Sequence, residues 1–156
     1  MKFGICTSVE NASAVKAAGA DFVEENVQSF HQGQLPDEQW TGPARLSSAS
    51  LKVPAANSLV PGSLKITGPE ARPDSLKSYI STIVRRAAAT GTRVLVFGSG
   101  GARNVPEGVD RNRARDQIIE FLKMCGAVAS QNNVTFVVEP LSRKECNIIN
   151  SVAEAM

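Results

Sequence analysis

At 156 residues, 42% apolar and 21% charged, the chain has the size and composition of one globular domain with its own core. Seventeen basic residues against fifteen acidic leave a formal net charge of +2, and no polybasic run marks nucleic acid or an anionic lipid surface as a partner. No run approaches the roughly 20 apolar residues of a membrane span. The first residues read as a strand rather than a signal peptide. Three widely separated cysteines, Cys6, Cys125 and Cys146, fit neither a disulfide framework nor a zinc motif, so a cytoplasmic setting is expected.

Short apolar runs alternate with amphipathic segments along the chain. Phe3 to Thr7 reads as a strand, and Ala12 to Ala18 as a small-residue helix stopped at Gly19. Asp21 to Val27 is a second strand, with Glu24 and Glu25 near its end. Gln28 to Ser50 is polar, with a short helix expected near Asp37 to Gln39. Leu51 to Leu59 is a third extended run, stopped by Val60-Pro61-Gly62. Pro73 to Thr90 carries Leu76, Tyr79, Ile80, Ile83, Val84 and Ala87 on one helical stripe, and Gly91 closes it. Arg93 to Phe97 is apolar on both faces, as in a parallel sheet covered on both sides. Asp110 is placed to cap a helix reaching about Gln131, Val134 to Val138 is a fifth strand, and Asn147 to Met156 reads as the start of a further helix.

Strands alternating with helices imply a parallel α/β architecture with about one βα unit per 30–35 residues. A full eight-unit barrel takes roughly 250 residues. Residues 1–156 are therefore expected to hold about five units of an incomplete (β/α)8 TIM barrel, with strands six to eight absent. An open doubly wound sheet of five strands fits the same length. The amphipathic pattern still running at Met156 favours the barrel.

Glu139 is the sharpest candidate for chemistry. It follows Thr135-Phe136-Val137-Val138 directly, where the carboxyl end of a barrel strand lines the active site. A carboxylate there needs a cation or a hydrogen-bonding ligand, and Arg143 is the structural alternative partner. Glu145, in the loop beyond, has the acceptors to hold substrate hydroxyls, although by itself it reads first as part of a solvated charged loop. Asn57, ending the third run, offers an amide to a polyol or simply serves the turn before Pro61-Gly62. Glu24 offers a carboxylate to a sugar hydroxyl or makes a structural ion pair. Ser99-Gly100-Gly101 and Arg103 permit an anion to approach but match neither a Walker motif nor a dinucleotide fingerprint. His31, the only histidine, reads as a solvated loop residue. With no Gly-x-Ser-x-Gly elbow to serve, it implies no serine triad. Cys125 falls on an apolar helix face and reads as core.

The stretches Asp21-Phe22-Val23-Glu24-Glu25-Asn26-Val27, Ala56-Asn57-Ser58-Leu59-Val60-Pro61-Gly62, Phe97-Gly98-Ser99-Gly100-Gly101-Ala102-Arg103 and Val138-Glu139-Pro140-Leu141-Ser142-Arg143-Lys144-Glu145-Cys146-Asn147 share an order along the chain. In that order the chain resembles the xylose isomerase-like barrels, a superfamily of sugar and sugar-phosphate isomerases and epimerases that includes tagatose 3-epimerase-type enzymes and endonuclease IV. The last stretch is the most specific. The resemblance implies that Glu139 is a ligand of a divalent metal, Mn²⁺ or Mg²⁺, and an acid/base. It implies that Glu145, with Asn57 and Glu24, contacts substrate. It implies a small-molecule sugar or sugar phosphate as partner and proton transfer through an enediolate. The family supplies its remaining metal ligands and its second catalytic glutamate from strands six to eight. On this reading the chain holds one ligand of the set; either it is a fragment of a longer protein, or a homo-oligomer or another chain completes the barrel. Two other readings stay open: a non-catalytic truncated barrel that binds sugar, and a DNA-repair endonuclease of the endonuclease IV type. Against the latter, strands three and four end in Asn57-Ser58 and Gly98-Ser99 where that enzyme would need histidines.

Overall fold

The structure, a computed structural model, describes residues 1–156. Five strands lie side by side and parallel: β1 (Gly4–Cys6), β2 (Phe22–Asn26), β3 (Ala55–Asn57), β4 (Val94–Phe97) and β5 (Thr135–Val138), in the order β1-β2-β3-β4-β5. Each crossover therefore steps to the next position in the same direction. A doubly wound sheet reverses direction at a switch point. The sequential order rules that alternative out and leaves an incomplete barrel.

The helices follow the strands: α1 (Ala12–Ala17), α2 (Val27–Phe30), α3 (Gly42–Ser47), α4 (Pro73–Thr90), α5 (Gly100–Arg103), α6 (Arg111–Ala129) and α7 (Val152–Ala155). None is long and apolar enough to cross a membrane. The helix α4 shows how sequence makes its element. Proline stands at its first turn, where a missing N–H costs nothing. All six residues of the apolar stripe are buried against the sheet and α6, each worth about 1.5–3 kcal/mol for a large side chain. Gly91 takes the left-handed conformation, φ 76°, and its N–H bonds the carbonyls of Ala87 and Ala88. In α6, the Asp110 carboxylate accepts the Arg113 N–H at 2.9 Å, and Ile118, Phe121 and Cys125 face the core. Burial pushes the Cys125 thiol up to about 12, as a core cysteine requires.

Three segments differ from expectation. The third run narrows to Ala55–Asn57, because Ser58 turns to φ 55° and leaves the ladder. The polar stretch after β2 holds α2 and α3 as well as a single 3₁₀ turn at Asp37–Gln39; Asn26 caps α2 by accepting from the N–H groups of Gln28 and Ser29. The final helix starts at Val152, not Asn147. Ile149 sits at φ 60°, the Asn150 amide bonds the carbonyls of Leu141 and Cys146, and Ser151 supplies the cap. Ile148 and Ile149 thus enter the core from a loop, while Val152 stays 67% exposed.

The two faces of the sheet differ. On the helix side Val23, Glu25, Ala56, Leu95 and Phe97 are sealed. On the inner side Phe22, Glu24, Ala55, Asn57, Val94 and Val96 are half-buried, and Cys6, Thr135, Val137 and Glu139 are exposed.

Candidate active site

The carboxyl ends of β1, β3 and β5 carry Cys6, Asn57 and Glu139 on this inner side, and β2 carries Glu24 there at its centre. Strand alternation puts them there, since residues two apart share a face. Asn57 Nδ2 donates to Glu24 Oε1 at 3.0 Å. Burial and the neighbouring Glu24 carboxylate push the Cys6 thiol up, and the Glu139 charge adds to the effect. Cys6 is therefore held as a thiol beside Glu24.

Glu139 continues the β5 ladder, its N–H donating to Phe97 O at 3.1 Å. Its carboxylate accepts no hydrogen bond and meets no cation, Arg143 included. The carboxylate lies over Gly98, where a Cβ would collide with Oε2. Glycine at the end of β4 is thus what gives this carboxylate its place. Beneath it Arg103 is fully buried and donates to the carbonyls of Phe97 (3.0 Å), Glu139 (2.9 Å) and Ile149 (3.4 Å), with its guanidinium over the Phe97 ring. Arg103 therefore ties the ends of β4 and β5 together and is not the anion contact that its sequence position permitted.

The two neighbouring glutamates of β2 part company. Glu24 faces inward and makes no ion pair. Glu25, 1% exposed, faces the helices, pairs with Arg45 at 2.8 Å and accepts the Val9 N–H at 2.7 Å. The structural ion pair that the sequence allows at Glu24 is made by Glu25 instead. Strand alternation is the signal that separates them, since only one of two adjacent glutamates can face inward.

Glu145 is exposed. Its Oε2 accepts from the Ser142 hydroxyl (2.7 Å) and N–H (3.2 Å), and these bonds hold its carboxyl below the usual range. Its other oxygen is uncommitted. His31, expected in solvent, is instead fully buried against Phe30, with both ring nitrogens unpartnered. Burial, with the nearby Arg86 cation, drives it down to about 4, so it is neutral and apolar in role.

Glu139 has the oxygen chemistry of a ligand for a hard divalent ion. However, no group of three or more His, Cys, Asp and Glu side chains converges anywhere in the chain to hold one. The donors present do not by themselves make a metal centre.

A parallel sheet in sequential order, with acidic and amide side chains at its strand ends, defines a barrel-type α/β protein with its chemistry at the carboxyl face. The chain belongs to the xylose isomerase-like TIM barrel family, whose model matches residues 12–156. No curated protein matches it by sequence. Among solved structures it is similar to 3-keto-D-glucoside 4-epimerase, YcjR, from E. coli, at TM-score 0.74 and 20% identity, over 99% of this chain and 62% of that one. It is also similar to D-psicose 3-epimerase in the presence of D-fructose (TM-score 0.76, 15% identity, 99% and 57% covered). A third is the D-allulose 3-epimerase of Methylomonas sp. in complex with D-allulose (0.75, 16%, 98% and 56%). The chain thus spans little more than half the length of these structures.

Proposed function

We propose that the chain carries the amino-terminal part of the active site of a sugar or sugar-phosphate isomerase or epimerase. Glu139 is the base that takes the proton from the carbon beside a sugar carbonyl, leaving an enediolate. The Glu24–Asn57 pair orients hydroxyls: Asn57 retains an amide hydrogen and a carbonyl oxygen, and Glu24 retains acceptor lone pairs. Glu145 adds a hydroxyl contact through its free oxygen. The single observation that carries this reading is an unpaired carboxylate at the end of β5, standing over Gly98 on the same face as that pair. Family membership and the epimerase neighbours support it.

This chain's own donors do not assemble a metal site. Mn²⁺ or Mg²⁺ binding through Glu139 would need ligands from further βα units. The open inner face supports completion of the barrel by such units. Three free thiols support a cytoplasmic setting.

The test is hydrogen exchange into a ketose in D₂O, followed by ¹H NMR, because it reads proton abstraction without requiring the second half of the reaction. The chain should wash deuterium into the carbon beside the carbonyl, and Glu139→Gln should slow this about 10²-fold or more. Equal rates for the two proteins would remove Glu139 as the base.

A further inference from the structure

A cavity of about 250 Å³ lies beside the loops leaving β2 and β3, lined by Gln28, Gln32, Gln34, Leu35, Pro61 and Tyr79, and is separate from the groove that Glu24 and Asn57 line. Its walls are the loops leaving β2 and β3, with α4 beneath. Gln28 Nε2 donates to Ser58 O at 2.8 Å, so one wall of the cavity is fixed to the residue that follows Asn57.

Its chemistry is neutral and two-sided. Three carboxamides and a phenol line it, and no charged side chain does. Gln28 keeps its oxygen free to accept. Gln32 spends its oxygen on the Thr41 N–H (3.0 Å) and hydroxyl (3.2 Å) and keeps its NH₂ to donate. The Tyr79 hydroxyl donates to Leu59 O at 2.9 Å and keeps its lone pairs. Gln34 makes no hydrogen bond within the chain. Uncommitted donors and acceptors side by side suit hydroxyl groups, each of which both gives and takes a hydrogen bond. An anion would call for cations or a row of N–H groups. A cavity of about 250 Å³ has room for one sugar ring.

The cavity is also built to keep its shape. The buried Arg86 guanidinium donates to the carbonyls of His31 (2.9 Å), Gln32 (2.6 Å) and Leu35 (2.7 Å) and to Asp37 Oδ1 (2.7 Å), and stacks on Trp40. This clamp holds Gln32 at φ 50°, a left-handed conformation that is costly without glycine. A Cβ at Gly33 would strike Tyr79 and Ile83, so the loop lies directly on α4. Preorganised polar groups bind without an ordering cost.

We propose that this cavity is a second sugar subsite. It takes a neutral ring glycosidically joined to the sugar held at Glu24, Asn57 and Glu139, so that the substrate is a disaccharide or other glycoside rather than a free monosaccharide. The inference rests on the sugar-isomerising reading above.

The test is a ¹⁵N–¹H NMR titration of the chain with D-fructose and with isomaltulose, a glucosyl-fructose. Isomaltulose should bind at least tenfold tighter, and should shift the side-chain amides of Gln28, Gln32 and Gln34 as well as that of Asn57. In Gln34→Ala the affinity ratio of the two sugars should fall towards one; Gln34 is exposed and bonded to nothing, so the fold survives its truncation. Three results overturn the subsite while leaving the sugar reading standing. These are equal binding of both sugars with Asn57 shifted, a gain without glutamine shifts, and a ratio that survives Gln34→Ala. If neither sugar shifts Asn57 or the glutamines, both readings fall.

Discussion

The helix-facing and inner faces of this one sheet follow the same alternation rule and have opposite fates. On the helix side Leu95 and Phe97 are 0% exposed, and even a glutamate, Glu25, is sealed by an arginine and a backbone N–H. On the inner side Val137 is 39% exposed and Glu139 stands free. Stability is thus concentrated between sheet and helices, while the candidate chemistry sits where packing is incomplete. Burial demands a partner for each polar group, whereas an exposed polar group remains available to a ligand.

The sharpest way to break this contrast is to truncate one apolar residue on each face. Leu95→Ala should cost about 2–5 kcal/mol in urea unfolding, and Val137→Ala less than about 1 kcal/mol. Equal costs would mean that the inner face is as well packed as the outer.

The next effect is pH dependence. His31 has its proton affinity depressed in the folded chain, from 6.5 to about 4, so the unfolded chain binds the proton first as pH falls. Stability should therefore be full above about pH 6.5 and decline as pH drops towards 4, by roughly 3 kcal/mol in all. Glu10 is held down from 4.5 to about 2 by Arg45, so its loss falls below pH 4.5 and leaves the window above that to the histidine. His31→Phe should flatten the upper window; denaturant midpoints taken every half pH unit would show whether it does.

The adjacent glutamates offer a sharper contrast within one strand. Glu25→Gln should destabilise by about 2 kcal/mol, because Arg45 loses its buried anion. Glu24→Gln should leave unfolding nearly unchanged and lower sugar affinity in calorimetry. A large stability loss at Glu24 would assign it to the fold rather than to the site. The smallest effect is local: Asp110→Ala should cost about 1 kcal/mol by uncapping α6.

Much of the scaffold was legible because its signals are local. The stripe from Leu76 to Ala87, Pro73 before it and Gly91 after it bounded α4 at the residues observed. Asp110 capped α6 as its position suggested. Glu139 was marked by the apolar run preceding it. The misreadings share a different cause. His31 and Arg103 are polar residues in polar stretches, and nothing nearby in the chain says that α4 or the loop after β5 will close over them. The last helix starts five residues later than its apolar spacing implies, because Ile148 and Ile149 reach the core from a loop bent through positive φ rather than from a helix.

What the sequence determined by itself was the succession of βα units and the residue types at the strand ends, because periodicity, caps and breakers act over one or two turns. The tertiary structure alone decided which of Glu24 and Glu25 faces the inner side of the sheet, that Arg103 serves carbonyls rather than an anion, that Arg86 clamps three carbonyls and Asp37, and that Gly98 makes room for the Glu139 carboxylate. Each of these depends on register and on contacts between residues 20 or more positions apart, which become defined only when the sheet closes against its helices.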